Sequence, residues 1–153
     1  MAESRDEITH LDGTKIFQSA ADREREAEVA ATIEEVWNCK VIHFGMLSPI
    51  DWFAERHGRV VGLLELKCRR HTSDQYPTVF LNVRKWLSLQ LGSIGLGCPA
   101  IFVARFIDEV RWISVSEVDG SKQRVAGWKI IKARTDIEPV IEIDIANMNV
   151  LRR

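Results

Sequence analysis

The segment Val60-Val61-Gly62-Leu63-Leu64-Glu65-Leu66-Lys67 constrains the fold more than any other stretch of the chain. Successive side chains of a strand point to opposite faces, so Val60, Gly62, Leu64 and Leu66 share one face and Val61, Leu63, Glu65 and Lys67 the other. Both faces are apolar until the end, the pattern of a central strand covered on both sides. Glu65 and Lys67 then continue a face that began as core. Buried charges are costly unless they are paired or hold a metal, so this strand end is either a rim or a site.

The neighbouring segments supply what must cover such a strand. Ser19 or Asp22 can cap a helix running to about residue 38, with Val29, Ile33, Val36 and Trp37 on one stripe and Glu26 a turn earlier on the same stripe. Strands are expected over residues 40–44, 50–56 and 60–69, the last two joined at His57-Gly58. Residues 76–81 read as a short extended segment because of Pro77. Asn82 caps a helix over 83–91, stopped by Gly92, Gly95 and Gly97. The run GSIGLG at 92–97 therefore reads as a helix-stop loop rather than a nucleotide site. Strands over 99–106, 110–115, 125–132 and 140–145 follow. A crossover helix between 60–69 and 99–106 makes those strands parallel neighbours. The expectation is one α/β domain at the α+β boundary, a mixed sheet flanked by helices. Residues 1–18 form an arm, about 20–115 the core, and 116–153 a C-terminal strand extension.

Composition narrows the class. With 153 residues, 46% hydrophobic and 28% charged, the chain can bury a core without disulfides and is not of the disordered type. Ionisable residues interrupt every apolar run before membrane-spanning length, so no membrane span is expected. The polar MAESRDEITH start lacks the apolar stretch of a secretion signal. Three scattered cysteines and four scattered histidines argue for a reducing, cytoplasmic setting and against zinc. Cys68 reads as packing, not as a nucleophile. Residues 1–35 carry a local charge of −6, which leaves +5 on the remainder, clustered around Arg56, Arg59, Lys67, Arg69, Arg70, Arg84 and Lys85. A basic middle is compatible with a polyanionic partner.

The hairpin gives the charged strand end its meaning. A three-residue loop, His57-Gly58-Arg59, pairs Arg56 with Val60, Phe53 with Leu63 and Trp52 with Leu64, and brings Asp51 opposite Glu65. Cβ atoms of such a pair are about 4.5–5.5 Å apart, where like charges repel. Lys67 is near, but a divalent cation explains two facing carboxylates better, and hard oxygen ligands suit Mg²⁺.

Pro49-Ile50-Asp51, a hairpin, and then Glu65-Leu66-Lys67 resemble the motif of the PD-(D/E)xK nuclease superfamily, the restriction-endonuclease-like and resolvase-like nucleases. The superfamily's core order, α-β-β-β-α-β, matches residues 20–115. The resemblance implies a Mg²⁺-dependent endo- or exonuclease that hydrolyses phosphodiester bonds of nucleic acid, with DNA the expected substrate and Mn²⁺ able to substitute. It implies that Asp51, Glu65 and the Leu66 carbonyl hold the metal, that Lys67 acts on the attacking water or the phosphate, and that Glu26 completes the catalytic set. Arg69, Arg70, Arg84 and Lys85 would contact backbone phosphates, and Lys85 could instead fill the place of the lysine or glutamine frequent on the superfamily's second helix. A domain this small often cuts two strands as a homodimer. Repair, recombination, restriction or phage genome processing would all suit such a core. Two rival readings stay open at this point: an inactive nucleic-acid-binding module on the same fold, and a metal-independent interaction protein docking through its acidic N-terminal arm.

Overall fold

In the computed structural model, which describes residues 5–9, 15–45, 47–126 and 138–152, the apolar segment is an interior strand of a six-stranded sheet. The chain opens with β1 (Arg5–Thr9) and β2 (Lys15–Ser19), an antiparallel pair with Ile8 opposite Ile16. The expected arm thus contains a small two-stranded sheet, whose five-residue strands are too short to show a period in so polar a sequence. Helix α1 (Ala20–Trp37) follows directly, and then β3 (Lys40–His43), β4 (Trp52–Arg56) and β5 (Arg59–Cys68). The Pro77 segment becomes a full strand, β6 (Thr78–Asn82), leading straight into α2 (Val83–Leu96). The chain continues through β7 (Ala100–Arg105), β8 (Val110–Ser114), β9 (Gln123–Ala126), β10 (Glu138–Asp144) and the short β11 (Asn149–Val150). The strand expected over 125–132 is seen only as far as Ala126, and its remainder lies outside the described residues.

The main sheet has the order β11-β8-β7-β5-β4-β3, and a second sheet the order β6-β10-β9. β5 and β7 are parallel neighbours, from Leu63 opposite Ala100 to Cys68 opposite Arg105, and α2 lies on the connection between them. This is the crossover expected from the sequence. β5 feeds two cores by alternation. Leu64 and Leu66 pack with Val29 and Ile33 of α1, whereas Leu63 packs with Leu89 of α2, Leu81 and Phe102. Leu63, Leu64 and Leu66 are each no more than 3% exposed. Full burial of one such side chain contributes roughly 1.5–3 kcal/mol, so the backbone that carries Glu65 is anchored from both sides. Among the described residues no helix is long and apolar enough to cross a membrane.

Two local details differ from the sequence reading, and both bear on the site. The β4–β5 turn has two residues, His57 (φ 52°) and Gly58 (φ 75°), and it pairs Arg56 with Arg59. Consecutive left-handed residues make the tight turn whose twist suits a hairpin. A bulge then follows, because Glu55 faces Val60 while Ala54 faces Gly62, so Val61 is the extra residue. The bulge restores the expected pairs Phe53–Leu63 and Trp52–Leu64. The second detail is α2, which runs through Gly92 and Gly95 and stops at Gly97 (φ 62°). A Cβ on Gly92 would lie 2.7 Å from Leu63 Cδ1 and 2.8 Å from Ile50 Cδ1. This glycine therefore lets the helix lie close on β5 instead of ending it.

Candidate active site

Asp51 directly precedes β4 and is fixed by its backbone, since its carbonyl accepts the Phe44 N–H at 2.8 Å. One step beyond the Trp52–Leu64 pair, the same register sets Asp51 against Glu65. Glu65 is fully buried, the only charged residue among those described to be so. Two lysines bracket the pair. Lys67 Nζ is 3.1 Å from Glu65 Oε1, and Lys85 Nζ, from the first turn of α2, is 2.6 Å from Asp51 Oδ1 and 3.5 Å from Glu65 Oε2. The two acids and two lysines balance in formal charge.

The carboxylates respond differently to this setting. Burial would raise the pKa of Asp51, but the hydrogen bond and charge of Lys85 outweigh it and hold the group below the usual range. Burial pushes Glu65 up, and the opposing charges of Lys67 and Lys85 do not compensate, while Asp51 adds to the rise. Despite the ammonium groups at ion-pair distance, neither buried Glu65 oxygen has a hydrogen-bond donor in good geometry. Such orphaned acceptors suit a cation that takes lone pairs from several directions, as Mg²⁺ does with one or two carboxylates.

The strand geometry also sets the direction of the Leu66 carbonyl. Leu63 N–H bonds to the Pro99 carbonyl and Arg69 N–H to the Arg105 carbonyl, so the intervening alternate residues direct their backbone groups toward β7. Leu66 falls on the opposite parity and faces the β4 side. There β4 has already ended, and the N–H of Ile50 bonds to Ser48 Oγ instead. The Leu66 carbonyl therefore points to the β4 side of the sheet, just beyond the start of β4, where Asp51 lies.

Other candidates lie elsewhere. α1 packs on the Leu64/Leu66 face of β5, opposite to the Glu65 side, and Glu26 acts on Cys68, whose thiol pKa is raised by burial first and then by that charge. The structure does not bring Glu26 to the Asp51–Glu65 pair, and among the described residues no three of His, Cys, Asp and Glu cluster. The stripe assignment put Glu26 toward the sheet but could not say toward which face. Glu28 is half-exposed and pairs with Arg105 at 2.9 Å. Arg69 turns inward and donates to the Phe80 carbonyl at 3.1 Å, tying the end of β5 to β6. Arg70 and Arg84 are exposed and make loose ion pairs with Asp22 (3.5 Å) and Glu138 (3.8 Å). Lys85, expected on phosphates or as the second-helix lysine of the motif, lies at ion-pair distance from both carboxylates, a placement that helix periodicity alone does not reveal.

Residues 14–151 match the model of a family described as "Phage putative PDDEXK endonuclease". No curated protein matches the sequence. Among solved structures, the fold is similar to Hjc of Archaeoglobus fulgidus, a Holliday junction resolvase from an archaeal hyperthermophile, at 15% identity and a TM-score of 0.53. The similarity covers 82% of this chain and 84% of that one. A family match over nearly the whole chain, on a fold similar to that of a resolvase, places this chain in the PDDEXK endonuclease family.

Proposed function

We propose that the protein is a divalent-metal-dependent nuclease that hydrolyses phosphodiester bonds of DNA. The observation that carries this reading is the buried Glu65, held beside Asp51 with both oxygens lacking an oriented donor. Asp51, Glu65 and the Leu66 carbonyl would hold the ion, Mg²⁺ with Mn²⁺ as a substitute, without Glu26. A bound ion there supplies charge stabilisation for the phosphate and lowers the pKa of a water. Lys67 is one-third exposed, against 17% for Lys85, so it is the lysine that faces incoming substrate. Its ammonium, fixed by Glu65, would orient the attacking water or stabilise charge on the phosphate. The exposed Arg70 and Arg84, now paired with Asp22 and Glu138, would exchange those partners for backbone phosphates, which position a substrate without reading its sequence. One chain carries one Asp51–Glu65 pair, so cutting both strands calls for two copies, and a homodimer is the expected working form.

The test is a cleavage assay on linear, flapped and four-way-junction DNA, and on RNA, with Mg²⁺ or with EDTA. Wild type should cleave at least one DNA form only with the metal, and Asp51→Asn should not. Nucleic-acid binding without cleavage of any substrate would favour the inactive binding module on the same fold.

A further inference from the structure

Lys85 is the group of the site that a simple division of labour leaves unexplained. Its ammonium is at ion-pair distance from both acids, 2.6 Å from Asp51 and 3.5 Å from Glu65, whereas Lys67, among the described residues, pairs only with Glu65 and reaches Asp51 by its charge at longer range. It balances their charge, yet Glu65 keeps both oxygens without an oriented donor, so its lone pairs remain available. Its place on the helix is locally unfavourable. The first turn of α2 has no acidic residue and carries Arg84 and Lys85, two cations at the positive end of a helix dipole. With the pair already neutralised, a dication entering between the carboxylates would meet two positive charges unless one of them left.

We propose that Lys85 is a tethered counter-ion, its ammonium occupying the position between Asp51 and Glu65 that a divalent cation takes, and yielding it when the cation binds. The inference rests on reading the pair as a metal centre. It assigns Lys85 two states. Without metal, it relieves the repulsion between two adjacent carboxylates, one of them buried. With metal, its flexible four-carbon stem carries the charge outward, where a substrate phosphate is the natural new partner. Ion binding and nucleic-acid binding then reinforce each other, because the phosphate accepts the ammonium that the ion displaces.

Calorimetric titration of Mg²⁺ into wild type, Lys85→Met and Lys67→Met at pH 8, without nucleic acid, tests this, together with thermal unfolding with and without Mg²⁺. Lys85→Met should bind Mg²⁺ roughly tenfold or more tightly than wild type, and Lys67→Met within about threefold of it. The metal-free melting temperature of Lys85→Met should fall, and Mg²⁺ should raise it by more than it raises that of wild type. Lys85→Gln, which keeps a polar group in the gap, carries the same expectation should the methionine variant fold poorly. Unchanged Mg²⁺ affinity in the Lys85 variants, or an equal gain in Lys67→Met, overturns the counter-ion role while leaving the metal centre standing. Failure of every form to bind Mg²⁺, wild type included, removes the metal centre and the counter-ion with it.

Discussion

Lys67→Ala should cut DNA roughly 10²–10⁴ times more slowly than wild type while binding Mg²⁺ about as well, because the two properties belong to different groups. Carboxylate and carbonyl oxygens hold a cation, whereas an ammonium cannot. Lys67 stands 3.1 Å from Glu65 and is the more exposed of the two lysines, so in the proposed mechanism its charge would act on the water or the phosphate. Removing it deletes an interaction that strengthens as negative charge develops, which lowers kcat rather than raising KM. Asp51→Asn should differ, losing ion affinity and activity together. Single-turnover cleavage at saturating Mg²⁺, paired with calorimetric titration, separates the two variants. Equal activity in wild type and Lys67→Ala would return Lys67 to a strand-end ion pair with Glu65.

Glu65→Gln is expected to abolish cleavage and yet to stabilise the metal-free protein at neutral pH. Burial raises the folded-state pKa of Glu65 above its unfolded value, so the fold prefers the protonated form. The stability linked to that preference is fully present below the unfolded pKa, near 4.3, and is lost as pH rises through the folded one. Glutamine keeps the neutral shape at every pH. The melting temperatures of wild type and variant should therefore nearly coincide at about pH 4 and separate by a few degrees at pH 7–8, each kcal/mol shifting a chain of this size by roughly 2–4 °C. Asp51→Asn should show the opposite sign. Its pKa is depressed by Lys85, so the stability from its charge is present above the unfolded value and lost as pH falls through the folded one. Thermal melts in EDTA across this range check both. A Glu65→Gln variant less stable than wild type at pH 7 would mean that the two lysines outweigh burial.

Much of this arrangement was legible in the residues because hydrophobic alternation and its violations carry spatial information. The two-faced apolar run of β5 required helices on both sides, and the Glu65/Lys67 intrusion marked the place where charge enters the core. The pairs Phe53–Leu63 and Trp52–Leu64 follow from matching apolar side chains, although the two-residue turn and the Val61 bulge that produce them do not. A bulge compensates for a shorter turn without changing the inner register, so both solutions leave the same hydrophobic signature. Gly92 misled for a related reason. Glycine inside a helix reads as a stop unless the side chains of Leu63 and Ile50 are already known to crowd it. Glu26 and Arg69 show the limit of reading charge from pattern. A helix stripe tells which side faces the sheet, not which face of the sheet it meets, and Arg69 beyond β5 bends to a β6 carbonyl that is distant in sequence. Lys85 reads from the sequence as a cation on the second helix, but only the path of β6 into α2 brings it to ion-pair distance from both carboxylates.

The central claim, that Asp51 and Glu65 together form a divalent-ion centre, is tested most directly by anomalous diffraction from crystals of the protein soaked in Mn²⁺. The account predicts one strong anomalous peak touching an oxygen of Asp51, an oxygen of Glu65 and the Leu66 carbonyl, and its absence from crystals of Asp51→Asn. A map without that peak, with Lys85 still seated between the two carboxylates at saturating Mn²⁺, would contradict it.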